Sequence, residues 1–251
     1  MADAPGSGEM SFWDHLEELR WTLLRSVAAV CILSILGFIF KEPLFKVILW
    51  PSQQDFVIYR LLGWHLDMDL INVDISAQFF IHLKAAVAAG LILAFPYIVW
   101  EVWRFVAPAL YPKEKKAVGA AFLMSSGFFY LGVLVGYFFV LPVCLQFFMN
   151  YSVSPQISNT ITVGSYMSMF LSMSLLIGVV FEFPTVISVL SRLGAVSRGM
   201  LRKGRKYAIV AVLALSALIT PSDPFSMLVL AAPLYLLYEL SILLCRNDID
   251  R

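Results

Sequence analysis

The sequence predicts an all-α integral membrane protein with six spans and both termini on the cytoplasmic side. Three observations support this. Hydrophobic residues make up 60% of the 251 and the mean hydropathy is +0.83, more apolar side chain than a soluble core of this size needs. The apolar residues fall in long runs separated by charges, several of them long enough to cross the roughly 30 Å hydrocarbon core as a helix of about 20 residues. Finally, fourteen Lys and Arg fall in the termini and connections on one side of that layout, against Lys41, Lys46, Arg60 and Lys84 on the other. By the positive-inside rule the side with fourteen is cytoplasmic.

The spans are predicted over 21–40, 77–102, 117–142, 166–190, 207–220 and 225–244, giving one transmembrane domain over 21–245. A cytoplasmic segment with a surface helix precedes it over 1–20, and a short cytoplasmic tail follows over 246–251. The fifth span is the shortest: thirteen residues separate Lys206 from Thr220, roughly 20 Å of helix. Local thinning of the bilayer and snorkelling of the flanking bases accommodate such a helix. The first residues lack the basic region and small-residue cleavage pattern of a signal peptide. Ser11 is placed to cap the first helix, with Asp14, Glu17 and Glu18 in its opening turns, where the dipole favours acids.

The longest connection, Lys41 to Ser76, is predicted to hold short amphipathic elements around Phe45–Trp50 and Phe56–Leu66 with a turn at Pro51. Together with the stretch Asn150–Gly164 and the tight turn Pro221-Ser-Asp-Pro224, it suggests an outer cap on the bundle. Pro96, Pro142 and Pro184 fall inside or at the ends of spans, where each frees a carbonyl and favours a kink. Gly132 and Gly136, four apart, make a small-residue face suited to close helix packing. Cys31, Cys144 and Cys245 are scattered and odd in number, and suit neither a disulfide framework nor a metal site.

No nucleotide-binding loop, zinc-protease motif or nucleophile elbow occurs, and the three histidines are far apart. The chain reads as a non-enzyme without cofactor or metal. Its chemistry is carried by acids. Glu182, in Gly178-Val-Val-Phe-Glu-Phe-Pro184, lies deep in an apolar span, where an ionisable group is costly and is a functional candidate or a neutral helix-packing acid. Glu18 and Glu114 stand at helix starts on the cytoplasmic side. They either complement helix dipoles or receive guanidinium groups through charge-assisted hydrogen bonds. Glu101 is expected to pair with Arg104 three residues on, and Glu239 to act as a helix anchor.

Five runs in order resemble the TatC family, the multispan core of the twin-arginine protein translocase. They are His15-Leu-Glu-Glu-Leu-Arg20; Trp103-Arg-Phe-Val-Ala-Pro-Ala-Leu-Tyr111 with Glu114; Phe181-Glu-Phe-Pro184; Thr220-Pro-Ser-Asp223; and Pro233-Leu-Tyr-Leu-Leu-Tyr-Glu239. The resemblance covers about His15 to Arg246. It implies kinked helices in a concave, glove-like wall with short fifth and sixth helices, in the bacterial cytoplasmic (inner) membrane. It implies a receptor for the twin-arginine signal peptides of folded precursors, driven by proton-motive force, with TatA/TatB-like single-span partners, self-association in the active complex and no nucleic acid. Carried over residue by residue, Glu18, Arg20, Phe105 and Glu114 form the signal-binding patch, Glu182 is the polar group of the concave face, and Asp223 belongs to the outer turn. This chain departs from the family's pattern at Glu101, where an amide is frequent, and at Ser222, where a second proline is frequent. The alternative reading is an ion-coupled small-solute transporter using Glu182.

Overall fold

The computed structural model describes residues 12–66, 68–107, 112–154, 156, 159–220 and 223–245. In chain order the elements are α1 (Phe12–Ile39), α2 (Lys41–Leu49), α3 (Val57–Leu62), β1 (Leu70–Ile71), α4 (Ala77–Val106), α5 (Pro112–Val135), α6 (Leu141–Asn150), β2 (Ile161–Thr162), α7 (Val163–Leu171), α8 (Ile177–Val180), α9 (Phe183–Arg192), α10 (Arg198–Lys203), α11 (Arg205–Ile219) and α12 (Pro224–Leu244). Among the described residues, five stretches are long and apolar enough to cross a membrane: Trp13–Ile39, Ala77–Val106, Phe122–Asn150, Val163–Arg192 and Pro224–Leu244. With 15 residues, α11 spans about 22 Å and falls short of a full hydrocarbon core.

The long helices pack largely in chain order, with α7 also touching α4 and α12 touching α6. α1 packs on α4, α4 on α5, α5 on α8 and α9, α9 on α12, and α12 on α11. Small residues set the first contact: Ala85, Ala86, Ala88, Gly90 and Ala94 form the buried stripe of α4. A Cβ on Gly90 would run into the backbone and hydroxyl of Ser34, and one on Gly37 would lie 3.3 Å from the Ala86 carbonyl oxygen. With no hydrophobic driving force between helices in lipid, this close backbone approach holds α1 through dispersion contacts. The Gly132/Gly136 face does the same against the fourth span. Gly132 lies against Phe181 and Gly178, and Gly136 against the Met173 carbonyl.

The prolines act differently from one another. α4 runs through Pro96 unbroken, although proline cannot donate to the carbonyl four residues back. That carbonyl belongs to Ile92, and it accepts a hydrogen bond from the Tyr130 hydroxyl of α5 at 3.1 Å. Before Pro142 the chain widens into an i→i+5 turn over Gly136–Val140 and continues as α6 to Asn150, so the proline lies within a helical run and does not end it. The wide turn makes room for the ring, whose Cδ would otherwise meet the preceding turn. Ahead of Pro184 the helix stops at Val180 and restarts at Phe183. A second wide turn, Ser172–Leu176, faces the first one across the α5–α8 contact.

The connections at the end of the bundle away from Glu18 form a structured cap. α2 and α3 occur where short amphipathic elements are expected, and Leu70–Ile71 pairs in parallel with Ile161–Thr162, tying two connections together. Tyr137 and Tyr166 donate to the Val47 and Ile48 carbonyls at 2.7 and 2.6 Å, satisfying orphan acceptors at the C-terminal end of α2. Tyr59 donates to the Pro51 carbonyl at 2.8 Å from a fully buried position. Asn159 donates to the Tyr151 carbonyl at 2.9 Å and to Phe148 and Met149 at 3.2 Å, closing the end of α6.

Candidate functional site

α1 runs as one helix through 12–39, so Glu18, Arg20 and Arg25 lie along a single rod. Glu18 and Arg25 are seven residues apart, two helical turns, and therefore share a face. That face meets the end of α4. Arg25 Nη2 donates to Glu18 Oε1 at 3.0 Å, and Arg25 Nε donates to Glu101 Oε2 at 3.0 Å. The second oxygen of Glu101 accepts from the Tyr97 hydroxyl at 2.9 Å. Glu101 thus pairs with Arg25 of the neighbouring helix, and not with Arg104 as its spacing suggests. Its side chain is turned into the α1–α4 contact with 3% exposure, while Arg104 is exposed. A buried carboxylate takes the charge that can reach it with its hydrogen bonds satisfied.

Glu18 itself is 34% exposed. Beside it, His15 stacks on Phe105 with ring centroids 4.3 Å apart, so Phe105 joins the α1 and α4 ends of the patch. Arg20 is exposed. Glu114 lies in the first turn of α5, and its side chain lies outside the described residues, as do Ser11 and the segment 108–111. An apolar cavity of about 330 Å³ opens between α4 and α5, lined by Pro96, Trp100, Trp103, Gly119, Phe122 and Ser126 among others. It follows α5 inward from the patch.

Next to Ser126 on α5, Ser125 is 4% exposed and donates from Oγ to Glu182 Oε2 at 2.5 Å. Glu182 sits at the break between α8 and α9. Its other oxygen, Oε1, is buried. The Thr185 hydroxyl lies near the carboxyl without reaching hydrogen-bonding geometry. Among the described residues Ser125 thus supplies the one close hydrogen bond of this half-buried acid, with the Thr185 hydroxyl and the Phe129 backbone nearby. Asp223 stands at the opposite end of the bundle from Glu18. Its Oδ1 accepts from the Ser226 amide at 2.6 Å, capping α12, and its Oδ2 is buried. Pro221 and Ser222, the residues of the turn before it, lie outside the described residues. Glu239 accepts from Arg205 at 2.7 Å and from Tyr235 at 3.1 Å, anchoring α12 to α11.

The structure therefore brings Glu18 and Phe105 into one patch and keeps Glu182 and Asp223 apart from it. Arg25, Tyr97 and Ser125 are the participants that sequence reasoning passes over. The two-turn spacing from Glu18 signals Arg25, and the turn from Glu101 signals Tyr97. One serine among many in an apolar run carries no such signal. Among the described residues no cluster of His, Cys, Asp or Glu suits a metal ion.

Among the described residues, five apolar membrane-length helices, a small-residue packing stripe, a charged patch at one end and a half-buried acid within a span define a multi-pass membrane protein. A family model described as "Sec-independent protein translocase protein (TatC)" matches residues 14–233. The chain is 36% identical to the Sec-independent protein translocase protein TatC of Blattabacterium sp. subsp. Periplaneta americana, over 93% of this chain and 94% of that protein. It is 34% identical to the protein of the same name from Deinococcus radiodurans, over 96% and 88% respectively. The crystal structure of the twin arginine translocase receptor TatC superposes with a TM-score of 0.77 at 35% identity, covering 92% of this chain and 97% of that one. The same receptor's crystal structure in DDM gives 0.79 at 34% identity, covering 92% and 99%. The chain belongs to the TatC family of Sec-independent protein translocase proteins.

Proposed function

We propose that this chain is the receptor for twin-arginine signal peptides and the core subunit of a translocase that exports folded proteins across the bacterial cytoplasmic membrane. In this reading it crosses that membrane six times, α11 included, with both termini in the cytoplasm, and works with TatA/TatB-like single-span partners under the proton-motive force. The half-exposed Glu18, set where α1 meets α4 and flanked by Phe105, carries the reading. It offers a carboxylate oxygen to an incoming guanidinium, and Arg20 and Glu114 complete the receptor patch in this reading. Arginine suits such a site because its planar fork holds carboxylates in fixed geometry, whereas lysine is a point charge.

The cavity along α5 supports the next step. It runs from Trp103 to Ser126, beside the serine that holds Glu182. From Glu114 to Ser125 is eleven residues, about 16 Å along the helix. The apolar part of a signal bound at the patch would lie along this groove and bring its far end towards Glu182.

The test is site-specific photocrosslinking from a probe beside Glu114 to a precursor carrying Arg-Arg or Lys-Lys in its signal. Strong crosslinks with Arg-Arg that disappear with Lys-Lys are expected. Glu114→Lys should abolish them, since removing one partner of a charge pair while the signal arginine stays buried costs about 2–5 kcal/mol. Equal crosslinking of both signals to folded protein would return Glu114 to a helix-start role and favour the solute-transporter reading of Glu182.

A further inference from the structure

The patch already contains an arginine. We propose that Arg25 is an internal stand-in for a signal arginine. It occupies Glu18 in the resting chain, and the incoming guanidinium takes over Glu18 while Arg25 stays on Glu101. The inference rests on the reading that Glu18 receives the signal.

Three observations carry it. One guanidinium bridges two carboxylates of very different burial, Glu18 at 34% and Glu101 at 3% exposure, at the same 3.0 Å. Arginine has donors enough for both at once, and here Nε serves one and Nη2 the other. The two attachments also differ in what their loss leaves behind. Glu101 has both oxygens engaged, by Arg25 and by Tyr97, and stripping Arg25 from it would strand a buried carboxylate. Glu18 is partly solvated and makes one contact with Arg25, an ion pair of the exposed kind that dissociates at little cost. The exchange therefore has a defined direction: Glu18 is released, and Arg25 swings no further than its Nε anchor allows.

The consequence is a threshold. A ligand must outcompete a guanidinium that is already in place, and the resting occupant lowers the apparent affinity of every signal. A lysine ammonium, with no fork to match the carboxylate, displaces the occupant less well than an arginine does. Arg25 thereby raises the affinity a signal needs without touching it. Glu101, where the family's pattern often has an amide, holds the occupant in reserve.

The experiment is equilibrium binding of fluorescent Arg-Arg and Lys-Lys signal peptides to the full chain in lipid nanodiscs. Two variants remove the occupant. Arg25→Gln with Glu101→Gln takes away the cation and leaves no buried carboxylate unpaired. Arg25→Lys keeps one charge for Glu101 but loses the separate Nε and Nη2 donors that serve the two acids, so it holds Glu18 less firmly. Each should bind the Arg-Arg peptide two- to fivefold more tightly, about the strength of one exposed ion pair, and the Lys-Lys peptide by the same factor, since the displaced occupant costs every ligand alike. If the double variant does not fold, as judged by gel filtration and thermal unfolding, Arg25→Lys decides alone. Unchanged or weaker binding of the Arg-Arg peptide overturns the stand-in. Glu18→Gln separates the two levels. If it leaves affinity intact, the receptor reading fails with it; if it weakens binding while the Arg25 variants do not tighten it, only the stand-in fails.

Discussion

The Tyr130 hydroxyl lies 3.1 Å from the Ile92 carbonyl oxygen, the acceptor that Pro96 leaves without an amide donor. In hydrocarbon a freed carbonyl must find a partner within the protein. Here the neighbouring span supplies it, so α4 keeps its proline without breaking and α5 is registered against α4 by the same bond. Tyr130→Phe keeps the ring and removes the donor. It should destabilise the chain by about 1–2 kcal/mol, read as a lowered midpoint of thermal unfolding in detergent. With Pro96→Ala in addition, the amide returns and most of that loss should disappear.

Ser125 and Glu182 form a second bond between spans, and it has no alternative donor in hydrogen-bonding geometry among the described residues. Ser125→Ala should cost about 1–2 kcal/mol of stability. Its effect on transport is more diagnostic. With the acid no longer oriented, completion of signal insertion should fall while crosslinking of the signal at Glu114 persists, and Glu182→Ala should do the same more strongly. Parallel loss of docking and insertion would assign the pair to folding alone.

Much of the fold is legible because charge and hydropathy are one-dimensional properties. The long helices, the short α11 and the amphipathic α2 and α3 follow from where the apolar runs begin and end. Proline positions also mark the irregular places, but not how each is resolved. Tyr130 on another span decides the outcome at Pro96, and a wide turn at Gly136–Val140 decides it at Pro142. The acids behave the same way. Glu18 and Glu182 stand out by depth and position, whereas the partner of Glu101 is a question of rotation. Spacing offers Arg104, and the helix faces its acid towards Arg25 instead.

Asp223 caps α12 through the Ser226 amide at 2.6 Å, with Pro224 as the first helical residue. Loss of an N-cap costs roughly 1 kcal/mol, and asparagine caps about as well as aspartate. Asp223→Ala should therefore lower thermal stability by about that amount, and Asp223→Asn should restore it. If the asparagine variant is stable but fails in transport, the charge of the buried Oδ2 has a task beyond the cap.

The two wide turns make the sharpest packing prediction. Gly136 begins one of them and lies against the Met173 carbonyl, in the other. A methyl group at 136 would collide with that backbone oxygen, which no side-chain rotation relieves. Gly136→Ala must push the third and fourth spans apart, at a cost of about 1–3 kcal/mol or more. Gly127, nine residues earlier on the same span, has open space where a Cβ would go. There alanine replaces a flexible helix residue without a clash and should stabilise by about 0.5–1 kcal/mol. Thermal unfolding of the two variants side by side should give shifts of opposite sign. Equal shifts would mean that the contact between the turns yields easily and does not fix the spacing of the spans.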